Sequence, residues 1–138
     1  MAIKLSTAAR SARMDATGLN AYIGASAQLK IFSGTRPANP AAAITGTLLA
    51  TLTCNAGGFG TNSSGVLTAS AITSGTGTAG AGAGTTATHF RMFKSDGTTV
   101  VMDGDVGISG SDLNLDNTSI ATGQTVACSS FAITDGNA

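Results

Sequence analysis

The chain has no tryptophan and no glutamate, and among its 138 residues there is one histidine (His89) and one tyrosine (Tyr22). All seven acidic residues are aspartates. So few acids and bases leave the paired carboxylates of general acid–base catalysis short of members. Charged residues make up 10% of the chain and balance to zero, which argues against the basic excess that nucleic acid binding requires. No stretch approaches the length of apolar run that a membrane span needs. A secretory signal is also missing: Lys4 gives a positive start, but Ser6, Thr7, Arg10 and Arg13 interrupt any apolar core behind it. Synthesis in a cytoplasm is the expectation.

The two cysteines, Cys54 and Cys128, match no zinc spacing and lack a second ligand pair. Buried free thiols are the plain reading, since cysteine packs as a small hydrophobe. A disulfide between neighbouring strands is the alternative and needs an oxidising compartment. No cofactor motif is present either. The glycine-rich run 76–86 (TGTAGAGAGTT) lacks the Lys-Ser/Thr ending of a phosphate loop, and reads as a flexible loop without anchor residues.

What the chain does have is Gly, Ala, Ser and Thr around short apolar segments. Leu5, Ala9, Ala12, Ala16, Leu19 and Ile23 recur at spacings of three and four, which predicts an N-terminal amphipathic helix. Ser6 or Thr7 is placed to cap it, and Gly24 to end it. Gly18 is a weak point in that helix, costing about 1 kcal/mol against alanine. From Gln28 the period changes to two. Strands are predicted at 28–33, 48–54, 66–73, 89–94, 98–102, 106–108, 112–115 and 124–133, with Ser95-Asp96-Gly97 as a hairpin turn. Pro37 and Pro40 mark 34–43 as a loop. Short strands at this spacing predict a mainly β fold, an antiparallel β-sandwich or jelly roll with a short N-terminal helix. The division is an N-terminal arm and helix (1–27) followed by the β-sandwich domain (28–138). The large core residues are few (Phe32, Phe59, Phe90, Phe93 and Phe131 with scattered aliphatics), so help from partner chains is expected.

Three groups bear on function. His89 sits beside Phe90 in a strand, where a structural role is the default and catalysis would need a nucleophile and an orienting acid nearby. Asp103, Asp105, Asp112 and Asp116 form the acidic cluster. Calcium would need a third ligand, a turn glycine and a closing carboxylate that this spacing does not supply, so turn and edge-strand aspartates are the default. Lys4, Arg10 and Arg13 make a small basic patch. It reads either as a solvated helix face or as a handle for acidic groups on a partner protein.

These residues carry a resemblance. The opening run Leu5-Ser6-Thr7-Ala8-Ala9-Arg10-Ser11-Ala12-Arg13-Met14-Asp15-Ala16 resembles the start of a family of small virion structural proteins of tailed bacteriophages. Leu29, the block Ile31-Phe32-Ser33-Gly34-Thr35-Arg36-Pro37-Ala38 and the run Gly46-Thr47-Leu48-Leu49-Ala50-Thr51-Leu52-Thr53 are similar too. So are Phe90-Arg91, Asp96-Gly97-Thr98, Met102-Asp103-Gly104 and Leu113-Asn114-Leu115-Asp116-Asn117-Thr118-Ser119-Ile120. The likeness covers nearly the whole chain, and its motifs are structural rather than mechanistic. The glycine–alanine stretch near 76–84 departs from the more polar loop expected there.

The resemblance implies a capsid decoration, or cement, protein: a β-sandwich or jelly-roll module, working as a dimer or trimer on the outer surface of the virion capsid. It implies the major capsid protein as partner, with no nucleic acid, membrane, cofactor or metal involved. The N-terminal arm, with Lys4, Arg10 and Arg13, is the expected capsid contact. A tail, fibre or host-binding module is the alternative, weakened by the scarcity of aromatic platforms. An enzyme is the least expected reading.

Overall fold

A computed structural model of the protein describes residues 3–6, 9, 18–63 and 66–134. Among the described residues the structure shows thirteen strands and a short helix, with Ala9 helical as well. In chain order they begin with β1 (Lys4–Leu5), α1 (Gly18–Ile23), β2 (Gln28–Phe32), β3 (Leu48–Thr53), β4 (Gly60–Ser63) and β5 (Val66–Ala69). Next come β6 (Gly75–Thr76), a 3-10 turn (Ala79–Ala81), β7 (Thr85–Thr86), β8 (His89–Phe93) and β9 (Val100–Gly107). The series closes with β10 (Leu113–Leu115), β11 (Ser119–Ile120), β12 (Thr125–Val126) and β13 (Cys128–Thr134).

One sheet dominates, in the order β3-β2-β8-β9-β10-β13-β5-β4, with β1 added beside β9. Two small pairs, β11–β7 and β12–β6, lie off that path. The fold is mainly β, as expected, but the sheet is mixed rather than purely antiparallel, because β9 and β10 run parallel. A parallel neighbour needs a connection that returns the chain, and residues 108–112 supply it in a tight loop. Ile108 sits there, 63% exposed.

The sheet curls on itself. Phe90 of β8 and Phe131 of β13 meet edge to face with centroids 5.3 Å apart, although β9 and β10 lie between their strands. Three strand spacings in a flat sheet would separate them by about 14 Å. Phe59 joins from the segment before β4, 5.5 Å from Phe131 and again edge to face. Gly104 makes the closure possible. It pairs with Phe90 across β8 and β9, and a Cβ there would stand 2.4 Å from the Phe90 ring. The far ends of the path also approach: Thr53, at the end of β3, exchanges backbone hydrogen bonds of 3.2 and 2.8 Å with Thr73, beyond β5. The enclosed core includes Leu29, Ile31, Leu52, Met92, Leu113 and Phe131.

Three expectations change. The N-terminal helix expectation holds in part: Ala9 is helical and buried, and its N–H donates to Ser6 Oγ at 3.1 Å, the capping role expected of Ser6. Leu5, however, is in β1, paired with Met102 of β9, and a helical segment starts at Gly18, whose φ of 69° lies in the left-handed region. A single residue at positive φ suits a chain turning into a helix. Ala12 and Ala16, on the same predicted stripe, lie outside the described residues. In β3 burial does not follow the alternation of faces: Leu49 is fully buried, as are Ala50 and Leu52 on the opposite face.

The glycine-rich run is the third change. Thr78 N–H donates to Leu49 O at 2.8 Å and Thr78 Oγ1 to Leu48 O at 2.6 Å, so this segment covers the outer edge of β3. Its anchors are backbone groups and one threonine. Glycine is needed for the close approach: a Cβ on Gly77 would stand 1.9 Å from Ala121 O, and one on Gly75 2.2 Å from Thr51 O. Edge strands left bare invite pairing with other chains, and this one is covered.

Candidate functional site

The β8–β9 ladder has two unlike faces. Its register pairs His89 with Asp105, Phe90 with Gly104, Arg91 with Asp103 and Met92 with Met102. Side chains alternate across a strand, so Phe90 and Met92 enter the apolar core while His89, Arg91, Asp103 and Asp105 share the opposite face. On that second face Arg91 donates to Asp103 twice, Nε to Oδ1 at 2.6 Å and Nη2 to Oδ2 at 2.8 Å. Asp103 is completely buried and Arg91 is 5% exposed. This is the fork-to-fork geometry in which arginine is strongest.

The proline loop covers these charges. Arg91 Nη2 also donates to Asn39 O at 3.4 Å. Lys4, which pairs with Asp103 across β1 and β9, donates from Nζ to Ala38 O at 2.5 Å. Further along, Arg36 Nη1 donates to Asp105 Oδ1 at 3.0 Å and lies 3.7 Å from Asp112 Oδ2. Asp112 Oδ2 in turn accepts the Asp105 backbone N–H at 2.9 Å. Residues 34–43 therefore form a strap fastened to the sheet through cation contacts at positions 36, 38 and 39.

His89 lies under the same strap, fully buried and stacked on Phe32 with centroids 5.6 Å apart. Its Nδ1 meets Thr88 Oγ1 at 2.9 Å, while Nε2 is buried without a hydrogen-bond partner. Burial holds its pKa below the ordinary 6.5; Asp103 and Asp105 oppose that, and Arg36 and Arg91 reinforce it. The imidazole is packed on Phe32, with the Thr88 hydroxyl as its hydrogen-bond partner.

Between β1 and residues 39–43 the surface opens into a cleft of about 800 Å³. Lys4, Leu5 and Ser6 form one side, Asn39, Pro40 and Ala41–Ala43 the other, and Arg91 and Val100 the floor. Of the three expected partner-contact residues, Lys4 is on the rim of this cleft; Arg10 and Arg13 lie outside the described residues. The sequence reading missed Arg91 and Arg36 altogether. The signal for Arg91 was present in the matching alternation of His89-Phe90-Arg91 and Asp103-Gly104-Asp105, which only a known strand register turns into a contact; Arg36 carried none.

The aspartates do not act as turn or edge residues as a group. Asp103 and Asp105 face arginines from within a central strand, while Asp112, in the 108–112 loop and accepting the Asp105 N–H at 2.9 Å, and Asp116, accepting the Ala127 N–H at 3.1 Å, fit the expected loop role. Among the described residues no group of three or more His, Cys, Asp or Glu is placed to hold a metal ion. Both cysteines are free thiols. Burial, with a contribution from nearby Cys128, pushes Cys54 up to about 12, and burial raises Cys128 as well, so neither is a ready nucleophile. Comparison with known proteins finds no matching family model, no matching curated protein and no matching solved structure.

Proposed function

We propose that the chain is a structural virion protein, one that decorates and stabilises the icosahedral capsid of a tailed bacteriophage by bridging major capsid subunits. The resemblance running along the sequence supports this reading. So does the use the molecule makes of its charges: Lys4, Arg36, Arg91, Asp103, Asp105 and Asp112 hold a loop and a turn onto the sheet. A module that works by shape at many equivalent joints needs that rigidity and no reacting group. A standard interface buries about 1,600 Å² in total, and shell symmetry repeats it.

On this reading the curled sheet is a sandwich-type module. The Phe59–Phe131–Phe90 stack, which closes one part of the sheet over another, supports it. The N-terminal segment with Lys4, Arg10 and Arg13, together with the neighbouring cleft, is the face toward the capsid. The module assembles as a dimer or trimer on the outer surface of the shell.

Particles produced from a phage genome lacking this gene test the proposal. Loss of thermal and osmotic stability of the capsid, restored by adding the purified protein back, is the expected result. Particles of unchanged stability would sink it.

A further inference from the structure

We infer that the cleft between β1 and residues 39–43 receives an acidic side chain carried on an extended segment of a partner protein. The inference rests on the reading that this face meets a partner, and it names what that partner presents.

The floor of the cleft supplies the first reason. Asp103 engages Nε and Nη2 of Arg91, and Asn39 O engages Nη2 again. Nη1 is engaged by neither, and it is not among the buried polar atoms that lack a partner. Arg91 lines the cleft, so Nη1 is the corner of an otherwise buried guanidinium that reaches its open space. Asp103 holds the guanidinium plane rigid, so the exposed corner is preorganised. Such a corner recognises an oxygen anion at little entropic cost.

Charge supplies the second. Two cations, Lys4 and Arg91, face the cleft against one carboxylate, Asp103, which is fully buried behind Arg91. Lys4 Nζ gives one hydrogen bond to Ala38 O and retains two further donors. Among the described residues the site therefore has one positive charge in excess and donors from two directions. Around these donors stand Pro40, Ala41–Ala43 and Val100, small apolar walls that fit the methylene stem of an aspartate or glutamate.

The third reason selects a protein segment over a free anion. Ser6 N–H donates to Val101 O, which makes Ser6 and Val101 a hydrogen-bonded pair of the β1–β9 ladder. By the alternation of antiparallel pairing, the N–H and C=O of Leu5 are turned away from β9. Leu5 itself borders the cleft, so a strand edge lies next to the cationic floor. An extended segment can satisfy that edge with its backbone while its carboxylate reaches Arg91.

The test is a titration of the full-length chain, isotope-labelled, with N-acetyl-aspartate N-methylamide, followed by NMR at the Arg91 side chain and the backbone amides of 4–6 and 39–43. Saturable shifts confined to those signals are expected. The neutral asparagine analogue should bind about tenfold more weakly, the discrimination expected when a hydrogen bond to a charged group is lost. Lys4→Glu should weaken the aspartate probe by a similar factor while leaving the spectrum dispersed. Equal shifts with both probes, or shifts elsewhere, would overturn the inference. Acetate binding as tightly as the aspartate derivative would overturn the segment in favour of a small-anion site. If the probe binds but capsids ignore the protein, the decoration reading fails and the cleft survives; capsid binding unaltered by Lys4→Glu separates the two in the other direction.

Discussion

The two faces of the β8–β9 ladder are built from neighbouring residues and obey different rules. On one, Phe90 lies across Gly104 to reach Phe131, and Met92 sits opposite Met102. Dispersion and burial hold that face, and neither has a fixed direction. On the other, Arg91 is locked to Asp103 and Arg36 to Asp105 and Asp112, under a loop that would otherwise have little to bind it. Direction matters there, because a buried charge without its partner keeps its desolvation cost and loses the return. The apolar face closes the fold, and the charged face fixes the surface around the cleft.

The widest separation between the faces should appear when a charge loses its partner. Asp103→Ala strands the buried Arg91 and should cost about 3–5 kcal/mol in chemical denaturation. Replacing the pair jointly, with Arg91→Met and Asp103→Leu, should recover most of that loss. A single variant near wild-type stability would show that the pair does not hold the strap.

Gly104→Ala comes next. Its new Cβ meets the Phe90 ring, and overpacking of this kind costs about 1–3 kcal/mol. The same measurement should also show greater exposure of the aromatic cluster; no change in either would remove Gly104 from the account of sheet closure. Met92→Leu, on the same apolar face and fully buried, should cost less than about 1.5 kcal/mol because volume is nearly kept. A cost as large as that of Asp103→Ala would erase the distinction between the faces.

The subtlest separation is in pH. His89 has a folded pKa below its unfolded 6.5, so the unfolded chain binds more protons in between. Its contribution to stability is complete above pH 6.5 and declines as pH falls toward the folded value. Denaturation midpoints measured at pH 7.5 and 5.5 should therefore drop on acidification, and the drop should shrink in His89→Gln. A midpoint that rises on acidification would reverse the sign argued here.

Local chemistry announced much of the fold. The hairpin at Ser95-Asp96-Gly97 forms as its residues dictate, with Asp96 Oδ1 accepting the N–H groups of Thr98 and Thr99 at 2.8 Å each and Gly97 at a φ of 72°. Those bonds, led by the Thr99 hydroxyl, hold the Asp96 carboxyl down at about 2. The period-two segments at β2 and β8 were equally plain, whereas the single strand expected over 124–133 divides into β12, paired with β6, and β13, in the large sheet. What stayed hidden depended on distant partners. Leu5 fits a helical stripe, and it is a strand because β9 offers Met102 and Val101 beside it. The glycine-rich run looks featureless because its bonds are made by backbone. Asp103-Gly104-Asp105 resembles half of a cation loop until the register sets Asp103 opposite Arg91, Asp105 opposite His89 and the glycine beneath the Phe90 ring. Arg36 is 69 positions from Asp105, and nothing in either neighbourhood signals the pair.

The central claim is the place of this chain on a particle, and its copy number reads that directly. Quantitative mass spectrometry of purified phage particles, with the major capsid protein as internal standard, is the measurement. The account predicts on the order of hundreds of copies in a fixed ratio to the capsid subunit, as shell symmetry requires of a decoration protein. A handful of copies would contradict it and assign the chain to a tail or fibre, and complete absence would remove it from the virion.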